Sequence, residues 1–359
     1  MSNKLLIITS CPENSNGAGT VFLKNIFSQY DYDWVDFNDY ITKESWFFQK
    51  FSFKKLKYYK NKVEQFKNTF FNKINIENYD KVVITLSNIG LMILSSEFKI
   101  KDKLRLIIWD DFRYIANNYR LYKKDFRELN NIFYNAVNSI KCISVMGNNM
   151  AKEYGRVNNN YVILRNPVFL QDWKKKDTDV INIIFCGSLY AKEEWNSFIN
   201  ALRGAGFRVN GKRIIVHFVG KYPKTNVISK NNIIYHGFKN GNDLKDIMKE
   251  MHIAYLPYWI DTKYEIVSKT SFPTKLSLYL ENGLVVFNHS SNYSESTKLI
   301  DDYNIGINVH TYNENEIIHK LSILIDNLAI LDYELNIKKC IKLELSYDLM
   351  MQNIRELLA

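Results

Sequence analysis

Lys4-Leu5-Leu6-Ile7-Ile8-Thr9, running through Ser10–Asn16 into Gly17-Ala18-Gly19, is the stretch that decides the fold. Four consecutive large apolar residues leave no wet face, so this strand is covered on both sides, as strands of parallel sheets are. A glycine-bearing loop follows, then helical periodicity from about Thr20 to Gln29. Strand, loop and helix in that order open a βαβ unit. The rhythm continues outward, with strands predicted at Val82–Leu86, Leu104–Trp109, Cys142–Val145 and Tyr161–Leu164 and helical patterns between them. Together these predict one doubly wound α/β domain over residues 1–168.

Asn166-Pro167 closes that domain, and Lys174-Lys175-Lys176-Asp177-Thr178-Asp179 reads as a polar connector. The pattern then restarts. Strands are predicted at Ile181–Cys186, Arg213–Val219, Ile233–His236, Ile253–Pro257 and Leu284–Asn288. Helices are predicted at Glu193–Ala205, Asp243–Met251, Pro273–Asn282 and Glu314–Leu328. This gives a second doubly wound domain over 169–342. A last amphipathic stretch, Ser346–Leu358 within 343–359, has no strand after it and is expected to pack back on the first domain. The expected fold is therefore two such domains facing each other across a cleft, with ligands at the carboxyl ends of the strands.

Composition agrees with a folded chain of two domains. Of 359 residues 46% are hydrophobic and 24% charged. Cys11, Cys142, Cys186 and Cys340 lie far apart, without a zinc or disulfide spacing, and read as reduced thiols. The longest apolar stretch, Val82 to Phe98, is interrupted by Ser87, Asn88 and Gly90, so it reads as strand, turn and helix instead of a membrane span. The expected location is cytoplasmic, with any membrane attachment peripheral at the inner face.

Pro273-Thr274-Lys275-Leu276 opens a helix just after Thr270-Ser271. Proline suits a helix start. Backbone N–H groups and the positive dipole end there suit a phosphate, to which hydroxyls and a lysine add donors. The wider run, Pro273 to Val286 (PTKLSLYLENGLVV), resembles the signature helix of glycosyltransferase family 4, also called group 1, of GT-B architecture. Ile183–Lys192 (IIFCGSLYAK) resembles that family's glycine-ended strand, and Ile234–Phe238 (IYHGF) its second one.

The resemblance implies two Rossmann-like domains, the first on the acceptor side and the second holding a nucleotide-sugar donor. It implies that Gly17 and Gly19 approach the donor phosphates. Ser188, Lys192, Ser271, Thr274 and Lys275 then surround the diphosphate, and Phe238 lies near the base. Four departures stand out, the first being Ser188 where the family has an arginine, which leaves Lys192 as the phosphate cation. The family's signature-helix glutamate falls at Leu278, leaving Glu281 one turn later as a shifted carboxylate, and the preceding glutamate falls at Thr270. The family's cleft histidine falls near Trp109, within Trp109-Asp110-Asp111-Phe112-Arg113.

Transfer of a sugar requires stabilisation of the departing diphosphate. Without a metal, Lys192, Lys275 and the amides near Ser271 and Phe272 are the expected donors. The acceptor hydroxyl needs a base, for which Asp110 or Asp111 stands at a strand end; Arg113 could instead hold an acidic acceptor or a phosphate. No Asp-x-Asp pair stands in a loop suited to metal-bound phosphates, and the six histidines show no ligand spacing. No metal or other cofactor is expected beyond the nucleotide sugar as co-substrate. His236 and His252 read as structural, and His289 as either structural or functional.

Between Trp46 and Lys73 eight lysines face one acid, giving +7 of the chain's +10, with ten aromatics. Leu56, Tyr59, Val63, Phe66 and Phe70 recur at helical spacing. Either this is a basic amphipathic helix for an anionic membrane surface, or the stripe is core and the lysines a wet face. No nucleic-acid motif accompanies the charge. The expected activity is metal-independent, retaining transfer to a glycan or lipid-linked glycan in bacterial surface polysaccharide (capsule) synthesis. The alternative is a non-catalytic subunit of the same fold that binds a partner protein or glycan.

Overall fold

The computed structural model describes residues 4–15, 17–40, 55–119, 121–171, 173, 179–221 and 232–359. Asn16, the basic aromatic residues 46–54 and the connector residues 174–178 lie outside them. The chain divides into two units. The first comprises Met1–Asn166 with Met350–Ala359, the second Pro167–Leu349.

The first unit is built on a six-stranded parallel sheet of β1 (Lys4–Thr9), β2 (Asp31–Asp36), β3 (Lys81–Thr85), β4 (Leu104–Ile107), β5 (Ile143–Val145) and β6 (Tyr161–Ile163), in the order β2-β1-β3-β4-β5-β6. Leu5 to Thr9 are all fully buried, as their uninterrupted apolar run requires. Sequence reading missed β2. Its acids Asp31 and Asp33 look like loop residues, but at a sheet edge they face water, and Asp33 pairs with Lys4 (3.0 Å) and Tyr79. Asn88 caps the helix Ile89–Glu97 by accepting from the Leu91 amide (2.9 Å). That helix is apolar nearly all round because it is buried, packed against helices Lys55–Phe70 and Lys123–Asn138. Among the described residues no helix is long and apolar enough to cross a membrane.

The helix Lys55–Phe70 settles the described part of the basic segment. Leu56, Val63, Phe66 and Phe70 are in the core, and Tyr59 packs against it. Lys55 donates to the Tyr119 carbonyl (2.8 Å), Lys60 pairs with Glu128, and Lys67 with Glu64 and Glu97. This helix therefore spends its apolar stripe inside the protein. The last helix, Tyr347–Leu358, is held from the sheet: buried Arg105 donates through Nε to the Leu357 carbonyl (2.5 Å), and Asn353 donates to that of Ile163 (2.8 Å).

The second unit has β7 (Val180–Cys186), β9 (Lys212–Val219), β10 (Ile233–Gly237), β11 (Ile253–Pro257), β12 (Val285–His289) and β13 (Gly306–Val309), in the order β10-β9-β7-β11-β12-β13, all parallel. A two-residue strand, β8 (Arg208–Val209), adds antiparallel to β9. Numbered in chain order this is 3-2-1-4-5-6, the dinucleotide-binding pattern, whose order reverses between β7 and β11. In the first unit the reversal lies between β1 and β3. Ligands of such sheets bind where successive connections leave in opposite directions, so these two strand ends are where a site is expected.

Candidate functional site

At the second unit's reversal, the chain leaves β7 through Gly187 and enters the helix Lys192–Gly204, while beyond β11 it enters the helix Thr274–Glu281. Pro273 stands just outside that helix, as its N-cap. Lys275, in its first turn, reaches back to the β7 loop and donates to the Ser188 carbonyl (2.9 Å). Its Nζ lies over the Phe185 ring (4.3 Å to the centroid) and the Tyr190 ring (4.4 Å). Burial pushes the Lys275 ammonium down to about 7. Gly187 has φ +100°, and a Cβ there would come within 3.0 Å of Lys275 Cε. Glycine thus serves both the turn and the lysine's path.

Around this lysine the rings form a column. Tyr190 packs on Trp259 (4.7 Å), Trp259 stacks on Tyr264 (4.8 Å), and Lys263 lies over Tyr264 (4.9 Å). Sequence reading missed this column; Tyr258-Trp259 directly after the apolar Ile253–Pro257 run was its only signal. Lys192 is exposed at the first position of its helix and makes no side-chain hydrogen bond or ion pair among the described residues. A cation there meets the positive end of the helix dipole, an arrangement that an anion relieves. Ser188, whose carbonyl accepts from Lys275, and Thr274, the residue before Lys275, are exposed, and Phe238, just past β10, is 73% exposed.

Two expected donor contacts are not placed as the sequence implied. Ser271 is buried, and its amide donates to the Val267 carbonyl (3.0 Å), closing the preceding helix. Glu281 ends the helix that Lys275 begins, about 9 Å further along its axis. Its carboxylate accepts from Gln171 (3.4 Å), its carbonyl accepts from the Trp173 indole (2.9 Å), and burial raises its pKa. It belongs to that contact and does not join the Lys275 cluster.

His289 is structural. It is fully buried, with Nε2 2.7 Å from the Thr311 carbonyl and Nδ1 2.9 Å from the Tyr255 hydroxyl, and burial pushes it down to about 4. Nearby, Glu194 is buried and accepts from the Ile260 amide and the Tyr312 hydroxyl (both 2.8 Å). It anchors the loop that carries Trp259. Glu194 escaped sequence reading because a glutamate in a first helical turn usually faces water.

In the first unit, Ser10 and Ser87 hydrogen-bond (2.7 Å) across the ends of β1 and β3. Gly17 is the extended N-cap of the helix Ala18–Ile26 and is exposed. Gly19 has a packing reason to lack a side chain: a Cβ there would lie 2.7 Å from Cys11 Sγ and 3.0 Å from the Trp109 ring. All four cysteines are free.

Asp111 cannot serve as the base. It is fully buried, caps the helix Phe112–Asn118, and accepts from the Arg113 amide (2.8 Å), Arg113 Nε (2.8 Å) and Nη2 (2.6 Å), and the Tyr154 hydroxyl (2.7 Å). Four donors consume its lone pairs. Arg113, also bonded to Glu153 (3.3 Å), is held well above its ordinary pKa by Asp111. Asp110 is partly buried beside it. Among the described residues no group of three or more His, Cys, Asp or Glu side chains is placed to hold a metal.

No family model and no curated protein sequence matches this chain. Solved structures do. A sucrose-phosphate synthase from Thermosynechococcus elongatus superposes with a TM-score of 0.67 at 9% identity, over 99% of this chain and 98% of that one. A UDP-forming α,α-trehalose-phosphate synthase from Burkholderia xenovorans gives 0.65 at 9%, over 100% and 99%. A mutant of S. aureus TarM, in complex with fondaparinux, α-GlcNAc-glycerol and UDP, gives 0.57 at 12%, over 83% of this chain and 59% of that one. Two doubly wound units in one chain, matched end to end with such structures, make this a protein of the GT-B fold.

Proposed function

We propose that the protein is a glycosyltransferase taking its sugar from a nucleotide diphosphate donor, with UDP as the first nucleotide to test. The observation that carries this reading is Lys275, a partly buried cation at the β7/β11 reversal with no carboxylate partner. A buried charge left without a counter-ion is costly, and a diphosphate supplies one. Lys192 adds a second cation at a neighbouring helix start. Two GT-B neighbours support UDP: one is bound with UDP-2-fluoro glucose, another with UDP. Phe238 offers an exposed face for the base.

Gly17 and Gly19 lie in the loop after β1, at the other unit's reversal, and stay assigned to the donor phosphates. Asp110 remains the base for the acceptor hydroxyl. The acceptor is a glycan or lipid-linked glycan of surface polysaccharide synthesis, and transfer is metal-independent with retention of configuration. The work is cytoplasmic, with residues 46–54 the remaining candidate for an anionic membrane surface.

A second reading, a non-catalytic subunit binding a partner or glycan, is favoured by Thr270 and Leu278 where the resembling family has glutamates, and by the locked state of Asp111. A thermal-shift panel of UDP-, GDP-, CMP- and dTDP-sugars separates the two. The enzyme is stabilised by one of them and the subunit by none. Lys275→Ala and Lys192→Ala should each weaken that stabilisation; unchanged binding in both would displace the site.

A further inference from the structure

Asp36 is the last residue of β2 and pairs in register with Thr9 at the end of β1, beside the first unit's reversal. Its neighbours in the chain hold it in place. Val35 and Phe37 are in the core, and a Cβ at Gly90 would come within 2.7 Å of the Phe37 ring. The Trp34 indole donates to the Cys11 carbonyl (3.0 Å) and Asn38 Nδ2 to that of Ser10 (3.1 Å), so the loop after β1 is tied to β2 from both sides of the carboxylate. Asp36 is only 7% exposed. Its Oδ1 accepts both donors that Asn38 offers, the amide (2.8 Å) and Nδ2 (2.9 Å). Its Oδ2 accepts from no group among the described residues, and it is not sealed from solvent.

The turn at Asn38 uses Oδ1 alone. An asparagine would supply that oxygen without burying a charge, so what the aspartate adds is its second oxygen. Neither lysine nor arginine offsets it, and burial, with the nearby Asp39, raises its pKa. A fixed, desolvated carboxylate oxygen beside another acid repels phosphate and favours neutral donors. Its lone pairs can accept from two adjacent hydroxyls of one sugar ring. In doubly wound sheets an acid about 20 residues past the glycine loop holds a ribose in this way. Asp36 comes 17 residues after Gly19.

We propose that Asp36 Oδ2 is a sugar-binding group, accepting hydrogen bonds from vicinal hydroxyls of an uncharged sugar ring at the first unit's strand ends. Asp36 binds and orients this ring and takes no proton from it. That the ring belongs to the acceptor rests on the reading of the protein as a glycosyltransferase; a nucleoside ribose carries the same diol. An acceptor ring bearing a carboxylate or phosphate is then disfavoured by Asp36 and Asp39.

The test is saturation-transfer NMR on the full chain with UDP in excess. The probes are the methyl glycosides of glucose, galactose, mannose and N-acetylglucosamine, and uridine. Wild type should bind at least one, and Asp36→Asn should weaken that binding by about 10- to 100-fold, the range for a hydrogen bond to a charged group. A bound pyranoside assigns the diol to the acceptor; uridine alone assigns it to a ribose. Two further arms need no variant. The fully O-methylated form of the bound probe, which has no hydroxyl to donate, should not bind wild type, and the uronic acid of a bound pyranose should bind more weakly than its neutral parent. Binding of no probe, undiminished binding in Asp36→Asn, or binding kept after methylation overturns the proposal. Those failures alongside a thermal shift with UDP leave the reading of function standing. Diol binding that Asp36→Asn removes, in a protein that binds no nucleotide, supports the sugar site and counts against that reading alone.

Discussion

The two sheets treat their charged residues in opposite ways. In the first unit the charges at the β4 end satisfy one another: Asp111 is wrapped by Arg113 and Tyr154, and Arg113 also meets Glu153. In the second unit Lys275 and Lys192 stand at the β7/β11 reversal without a carboxylate. Internally paired charges stabilise a fold and ask for no ligand. Unpaired ones cost stability and are justified by what they bind. The difference points to the second unit as the half that takes an anion.

Acid should separate the halves most strongly, because all six histidines lie in the second unit. His217 is stacked on His236, with their nitrogens 2.9 Å apart, and is pushed down to about 4 by burial and by His236; His289 lies equally low. Both would titrate at 6.5 when exposed, so the unfolded chain binds more protons between pH 6.5 and 4. Stability of the second unit therefore falls as pH drops through that window and levels off below about 4. The cost is on the order of a few kcal/mol per histidine. The first unit holds until lower pH, where Asp33, kept below the usual carboxylate range by Tyr79 and Lys4, takes its proton. Denaturant melts from pH 8 to 4 should show the second unit weakening first. Parallel loss in both units would remove the contrast.

Substitutions at the two charge sites should have opposite signs. Asp111→Ala leaves Arg113 and the Tyr154 hydroxyl without their partner and should destabilise by about 3–5 kcal/mol in urea melts. Lys275→Met removes a desolvated amine and should leave stability unchanged or raised while abolishing nucleotide-induced stabilisation. A destabilised Lys275→Met protein would mean that the lysine holds the β7 loop more than it awaits a ligand. Gly19→Ala is smaller still. It drives a methyl into Cys11 and Trp109 and should cost about 1–3 kcal/mol, read as a lowered Tm.

Much of the architecture was legible because it follows from hydrophobic runs. Leu5–Ile8, Ile183–Phe185 and Ile253–Leu256 can only be strands covered on both faces, and the structure places them centrally. Of the edge strands, β6 and β10 were legible while β2 and β13 were not. Residues Asp31–Asp36 alternate acids with aromatics, and their strand state depends on Lys4 and Tyr79 reaching them from elsewhere in the chain. Within the site, Lys275 could be read from its helix-start context. The fates of Asp111, Ser271 and Glu281 could not, because each is decided by a partner far away in sequence or by the end of a neighbouring helix. Charge in a sequence shows where a carboxylate is, and only packing shows whether it is already occupied.

Phe238 gives the smallest effect on stability and the cleanest separation of binding from folding. It follows β10, two strands from β7, so its backbone lies roughly 10 Å across the sheet from β7. At 73% exposure its ring contributes little to the core, and Phe238→Ala should change stability by no more than about 0.5 kcal/mol. If the base stacks there, the same change should weaken nucleotide binding by about 1–3 kcal/mol, the range for base–aromatic stacking. The weakening should also be shared by UDP and UDP-sugars, because the contact is to the base and not to the sugar. Inorganic pyrophosphate, which has no base, should bind the variant and wild type alike. A variant that loses pyrophosphate as well would place Phe238 at the phosphates, and one that loses neither would turn the nucleotide away from β10.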